Sequence, residues 1–361
     1  EQYDRKMSDL LATQREIATA ITEKLQLKLA GTETKGITKK YTDNNEAYQL
    51  YLKGRYHFAK RTKDDVLKSI DYYQQAIKLD PNFALAYARI SEAYGVMPLY
   101  PYLSPKEAIP NAKAAAQRAL EIDPTLAEAH TAMATSLVGY DWNWTDVERE
   151  FKRAIELDPN STAAHFRYGQ YLTTVGRSDE AIAEVKRALE LEPLDITMGA
   201  YLARIYLDAR QNDKALEQGK KTYELERSHP VAVYNLALVY NANGMYVEAI
   251  DISEKALQND PTSQHMLQNA GYAYARSGRR DKAEEIINRF EDIEKTTYVA
   301  PSLVATIYAA LGNKDKAFAE LEKAYKERDW FFTMLKVDPL MDSLRDDPRF
   351  KDLLKRLNLP E

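Results

Sequence analysis

Five histidines are the side chains in this sequence best suited to hold a metal, and they stand alone at His57, His130, His165, His229 and His265. A helical metal site needs two ligands four residues apart on one face, so that both nitrogens reach the ion. No two of these histidines, nor any histidine and a further ligand, make such a pair. There are no cysteines, which excludes disulfide frameworks, thiolate metal sites and cysteine nucleophiles. GxGxxG, the P-loop, GxSxG and HExxH are all absent. Carboxylates are plentiful, but they fall in the charged stripes of helices or at caps, where a solvated role is the default. "NWT" (143–145) and "NST" (160–162) fit a glycosylation acceptor, a motif common by chance. The sequence therefore predicts no catalytic residue, no metal and no cofactor.

Composition narrows the class further. Apolar residues make up 45% and charged residues 29%, which suits a folded chain rather than a disordered one. The net charge of −5 gives no field for nucleic acid or anionic lipid, and no apolar run approaches a membrane span. One local exception, Glu33–Lys68, carries nine Lys/Arg against five Asp/Glu and reads as a solvated terminal face. The sequence opens at Glu1 with no start methionine or signal peptide, the expectation for a piece of a longer protein. The lack of cysteine suits the cytoplasm and also an export route that avoids oxidation, so the compartment stays open, with the cytoplasm favoured and the periplasm an alternative if an upstream anchor exists.

The organising feature is repetition. "AIKLDPN" (76–82) returns as "AIELDPN" (154–160), with variants "ALEIDPT" (119–125), "ALELEPL" (188–194) and "ALQNDPT" (256–262). Prolines follow at Pro81, Pro124, Pro159, Pro193, Pro230 and Pro261, a period near 34 residues that signals a solenoid of helix pairs. The clearest unit is Ser161–Pro193. His165, Tyr168, Gly169 and Leu172 share one helical face, and Gly176 ends that helix in the left-handed region. Ser178 and Asp179 cap a second helix whose stripe is Ala181, Ile182, Val185, Ala188 and Leu189, stopped by Glu192-Pro193. Later units repeat the logic around Gly244, Gly278 and Gly312. The fifth has Arg210 in place of the inter-helix glycine and Thr222 in place of the second alanine, which predicts a loosened turn.

This pattern of an aromatic, a small pair, a Tyr, then Ala, Ala and Pro resembles the tetratricopeptide repeat family over about four fifths of the chain. The resemblance implies an all-α, right-handed α-solenoid of about eight helix pairs: roughly 45–81, 82–124, 125–159, 160–193, 194–230, 231–261, 262–297 and 298–339. The expected domains are residues 1–44 as an amphipathic helix and linker, 45–339 as repeats, and 340–361 as a capping helix. The opening 31 residues, with an amphipathic stripe over Asp9–Ala30, resemble the end of a TolB/FlgO-like domain. Such segments precede similar repeats in multidomain bacterial signalling proteins, which implies a parent chain of Ser/Thr kinase or transcriptional-regulator type.

In such a solenoid the first helices line a concave groove. Residues off their packing stripes are expected to hold a partner protein or peptide there. They are Tyr51, Arg55 and Glu92 in the early repeats, and Phe166, Gln170, Thr173 and Arg204 in the middle. Tyr234, Leu238, Asn241, His265, Gln268, Tyr272 and Arg276 follow in the later ones. Aromatic and arginine side chains are the usual anchors of an interface. Two inserted loops, "VMPLYPYLSP" (96–105) and "GYDWNW" (139–144), should emerge on one edge a repeat apart. They gather Met97, Tyr100, Tyr102, Tyr140, Trp142 and Trp144, either as mutual bracing or as an exposed second contact for an upstream domain or a homodimer mate. The expected function is a non-catalytic interaction scaffold that touches neither nucleic acid nor membrane.

Overall fold

The computed structural model describes residues 41–360; the amphipathic stripe and TolB-like segment expected before residue 32 lie outside them. The described residues hold 17 α-helices and no strand. Sixteen form eight antiparallel pairs. These are α1 (Asn45–Ala59) with α2 (Lys63–Leu79), α3 (Ala84–Val96) with α4 (Pro105–Ile122), and α5 (Ala127–Ser136) with α6 (Trp144–Leu157). Next come α7 (Thr162–Val175) with α8 (Ser178–Leu191), α9 (Ile196–Asp208) with α10 (Asn212–Leu225), and α11 (Pro230–Ala242) with α12 (Tyr246–Asn259). The last are α13 (Gln264–Arg276) with α14 (Arg280–Glu294) and α15 (Pro301–Ala310) with α16 (Lys314–Glu327). From α3 to α15, each first helix packs on the first helix of the next pair, which makes an α-solenoid with the first helices inside.

The recurrent heptapeptide is a stop signal with its own hydrogen bond. Asp80, Asp123, Asp158 and Asp260 leave the second helices in extended or near-extended conformations. Each side chain then accepts from the backbone N–H two residues on, across the proline, at 2.9–3.1 Å. The turn inside a pair is shared by every pair but α3–α4, whose connection is the longer 97–104 loop. Gly176, Gly244, Gly278 and Gly312 all sit at positive φ, where glycine carries no Cβ penalty. Arg61, Trp142 and Arg210 take the same conformation with φ between 55° and 62°. The fifth unit is therefore not loosened: Gln211 N–H bonds Tyr206 O at 2.8 Å, as Arg177 N–H bonds Leu172 O. Nor does Thr222 force its helices apart, because Gly199 stands opposite, and a Cβ there would lie 2.8 Å from Thr222 Oγ1.

Close approach within pairs depends on such small residues. A Cβ on Gly169 would meet Val185 Cγ2 at 2.5 Å and the Ala181 carbonyl at 3.1 Å. Gly169→Val is expected to cost about 2–3 kcal/mol by overpacking, read as a lower urea midpoint with helix content retained. An unchanged midpoint would mean that α7 and α8 separate freely.

The chain end departs from expectation. The last pair stops at Glu327, short of the expected boundary at 339, and residues 340–361 are not a single helix. Arg328 turns the chain through φ 57°, Asp329 is wholly buried, and two 3-10 turns follow at Trp330–Met334 and Pro339–Leu344. Helix α17 (Pro348–Leu357) then closes the chain. "DWFFTMLKVDPLMDSL" (329–344) has no helical periodicity because it is buried from several sides, as a plug against the inner helices. α17 packs along α16, where Arg349 pairs with Asp315 and Arg356 with Glu322. Its Leu357 carbonyl accepts the Trp144 Nε1–H at 2.9 Å, and Lys106 pairs with Glu327 at 3.0 Å, so repeat three meets α17 and repeat two meets repeat eight.

Candidate binding site on the inner face

Inner and outer helices differ in how many sides they bury. In α9 ten of 13 residues are buried, against three of 14 in its outer partner α10. A groove open to solvent would leave one face of α9 wet, so something must cover it. The cover is the plug, at Arg204 and Ile205, together with Tyr100 of the second repeat's loop at Ala200. Phe331 sets its edge on His265 with ring centroids 5.3 Å apart, and Tyr234 meets the same imidazole at 4.4 Å. Met334 reaches Thr174, and Lys336 Nζ donates to the Val175 carbonyl at 2.9 Å.

At the centre lies a buried charge cluster. Arg204 Nε donates to both oxygens of Asp208 at 2.9 Å, one helical turn on, while Nη2 stands 3.1 Å from the plug's Asp338. The Asp208 side chain has no exposure, and burial pushes its carboxyl up to about 6 against the pull of Arg204. Burial disfavours the Arg204 cation, but Asp208 and Asp338 outweigh it and hold the guanidinium charged. Burial also lowers His265 to about 4, so its ring faces the plug neutral.

Expected groove residues fall into three groups. Gln170, Thr173, Arg204, Tyr234, Asn241, His265, Gln268, Tyr272 and Arg276 line the inner space or its hollows. Tyr51 does not: it is 3% exposed, packed on Tyr73 and Phe83 at 5.9 and 5.3 Å, because its spacing from Tyr48 puts it on the packing stripe. Phe166 and Leu238 are likewise core, and Arg55 is exposed outside any hollow. Glu92 is committed to Arg89 at 2.7 Å.

The loop aromatics do not form one exposed ridge. Trp142 is buried in a stack on Phe332, with centroids 5.7 Å apart, and Trp144 packs on Tyr171. Tyr100 stacks on Tyr102 and crosses to Ala200, Val231 and Ala232, while Tyr102 donates to the Arg61 carbonyl at 2.8 Å. Tyr140 is half-buried. Each loop braces the array against its own partner, because the array curls and brings distant repeats closer than the neighbouring loop. The residues that sequence reasoning missed, Trp330, Phe331, Met334 and Asp338, had one signal: three adjacent large apolar rings fit no amphipathic helix.

Two hollows flank the plug. An apolar cavity of about 60 Å³ lies between α7, α9, α11 and Trp330, Phe331 and Met334. A polar hollow of about 310 Å³ opens beside the second 3-10 turn, walled by Arg210, Asn241, Tyr272, Arg276, Asp342 and Ser343. Arg210 is paired with Asp342 at 2.7 Å, whereas among the described residues Arg276 bonds only the Tyr246 hydroxyl. Among the described residues no group of three His, Asp or Glu could hold a metal, and no helix is long and apolar enough to cross a membrane. His130 and His165 each bond a carboxylate and the carbonyl before their helix: Glu150 and Pro124 for one, Glu184 and Pro159 for the other. They staple helices together.

Comparison with known proteins agrees with this architecture. Tetratricopeptide-repeat family models match residues 150–183, 202–264 and 240–307. No curated protein matches the sequence significantly. Among solved structures, a human IFIT1 dimer with m7Gppp-AAAA is 15% identical, with a TM-score of 0.58 over 87% of this chain and 77% of that one. The Cut9-Hcn1 hetero-tetramer of APC/C is 15% identical, with a TM-score of 0.57 over 98% of this chain and 60% of that one. Pseudomonas aeruginosa pilF is 21% identical, with a TM-score of 0.42 over 58% of this chain and 95% of that one.

Proposed function

We propose that this solenoid of tetratricopeptide-type helix pairs is a non-catalytic interaction module that holds a segment of a partner protein at its inner face. The observation that carries the reading is the polar hollow. Among the described residues Arg276 has no carboxylate partner there, and the buried Asn241 Oδ1 in the same wall has no hydrogen-bond partner. A buried acceptor left unpaired costs free energy, which a donor recovers once the wall opens to an incoming chain. Tyr272 supplies a rigid ring beside them. The resemblance of the opening residues to the end of a TolB/FlgO-like domain supports placing the module in a larger bacterial signalling protein. That parent is a Ser/Thr kinase or a DNA-binding regulator, with this region as its regulatory or sensing part.

The test is selection of peptides from a random display library on the full chain, followed by fluorescence polarisation of the selected sequences. Arg276→Glu is expected to weaken them about tenfold or more, since it removes a charge-assisted contact, and to leave the urea midpoint unchanged. Absence of any enriched peptide, or binding indifferent to Arg276 and Tyr272, would count against the reading.

A further inference from the structure

The plug is docked in the groove in the way a ligand is, and four observations bear on what that means. First, the groove is charge-balanced without it. Arg204 already satisfies both oxygens of Asp208 within its own helix, so Asp338 is a second carboxylate on one guanidinium. Second, the fit is incomplete. Hollows of about 60 and 310 Å³ lie against the plug, whereas protein interiors are otherwise close-packed. Third, inner-helix polar atoms that face the plug go unmet. Asn235 Oδ1, at the apolar cavity, and Gln268 Oε1, in a smaller gap beside Asp338, are both buried and have no hydrogen-bond partner among the described residues. Fourth, the plug is short 3-10 turns with no long helix, joined to α16 through Arg328 in a left-handed conformation that a non-glycine residue adopts at a cost.

We infer that residues 329–345 are an intramolecular ligand of the groove, exchanged for a partner segment of the same chemistry: adjacent aromatics followed by an aspartate. The inference rests on the interaction-module reading and specifies its partner. The partner's aromatics replace Phe331 against His265 and Tyr234, its acid replaces Asp338 on Arg204, and its backbone N–H groups reach acceptors that the resident leaves unpaired. A tethered resident competes at high effective concentration, so the groove stays shut to weak or mismatched chains.

The probe is a fluorescein-labelled peptide of residues 329–340, titrated into the full chain and into its Asp338→Ala variant. Asp338→Ala weakens the resident while leaving Arg204 paired with Asp208, so the variant is expected to bind the peptide at least about tenfold tighter than the unmodified chain. A peptide carrying alanine at its own aspartate should lose that gain. Hydrogen exchange on the unmodified chain gives a second readout: amides of 330–338 should exchange faster than those of α9, and faster still when unlabelled peptide is added. If the variant keeps its helical circular dichroism yet binds no peptide, or if 330–338 exchanges only together with α9, the plug is permanent core and the inference falls. If library-selected peptides bind while the self-peptide does not, the module reading survives and the exchange does not. If neither binds, both fall.

Discussion

Trp142→Ala is expected to destabilise the chain by about 3–5 kcal/mol, the cost of emptying a buried indole site that cannot collapse. The ring is 8% exposed and lies between Phe332 and Tyr325, with the Arg328 guanidinium 4.0 Å from its centroid. These partners belong to the eighth repeat and the plug, so the substitution opens a contact between distant parts of the array rather than a local one. The backbone adds a second effect. Trp142 sits at φ 55°, closing a π-helical turn at Leu137–Asp141, and alanine keeps the Cβ that disfavours this region. Trp142→Gly loses the same ring but relieves the backbone, so it should be more stable than Trp142→Ala by about 1 kcal/mol. Urea midpoints of the two variants check both claims. An alanine variant equal to the parent would remove Trp142 from the bracing of the array, and a glycine variant below alanine would refute the backbone account.

Arg204→Met should cost a similar amount at neutral pH, about 3–5 kcal/mol, because it strands the Asp208 carboxylate in a buried site and takes the guanidinium from Asp338 as well. The loss carries a pH signature whose sign follows from linkage. Asp208 already has a folded value of about 6 beside Arg204, above the ordinary 3.8, and removing the guanidinium raises it further. A carboxyl whose folded value is raised contributes stability that is complete below the unfolded value and lost as pH rises through the folded one. The variant should therefore be nearest the parent at pH 4–5, where Asp208 is protonated in the fold, and furthest from it above pH 7. Adding Asp208→Leu should recover much of the loss and flatten the pH dependence. A penalty for Arg204→Met that does not change between pH 5 and 8 would mean that Asp208 is not the group left unpaired.

Much of the scaffold was legible because its rules are local. Gly176, Gly244, Gly278 and Gly312 mark turns through a conformation that favours glycine, and each Asp-Pro stop needs only its own side chain. Arg61, Trp142 and Arg210 take the same turn without a glycine. At those three positions neighbouring repeats impose the geometry, and the residue type gives no warning. The inner face was half legible. Helical spacing separates Arg204, Tyr234 and Gln268 from the packing stripe, but it cannot say what they face. That answer comes from residues 329–345, which reach the groove only because the whole array curls. The same curvature carried Trp142 and Tyr100 to different partners, although their loops lie one repeat apart.

The links Lys106–Glu327, Trp144–Leu357 and Arg204–Asp338 have a mechanical consequence. A free helical-repeat array is a spring: each unit touches only its neighbours, so it stretches, twists and frays from either end. Here the last coil is hooked through the middle and strapped to the second and third, so tension at one end is shared across the loop. While the hook holds, the coil is stiff and a pull on one repeat is resisted by several. Once it is released, the same helices become compliant, and their spacing is free to follow the length of whatever they grip.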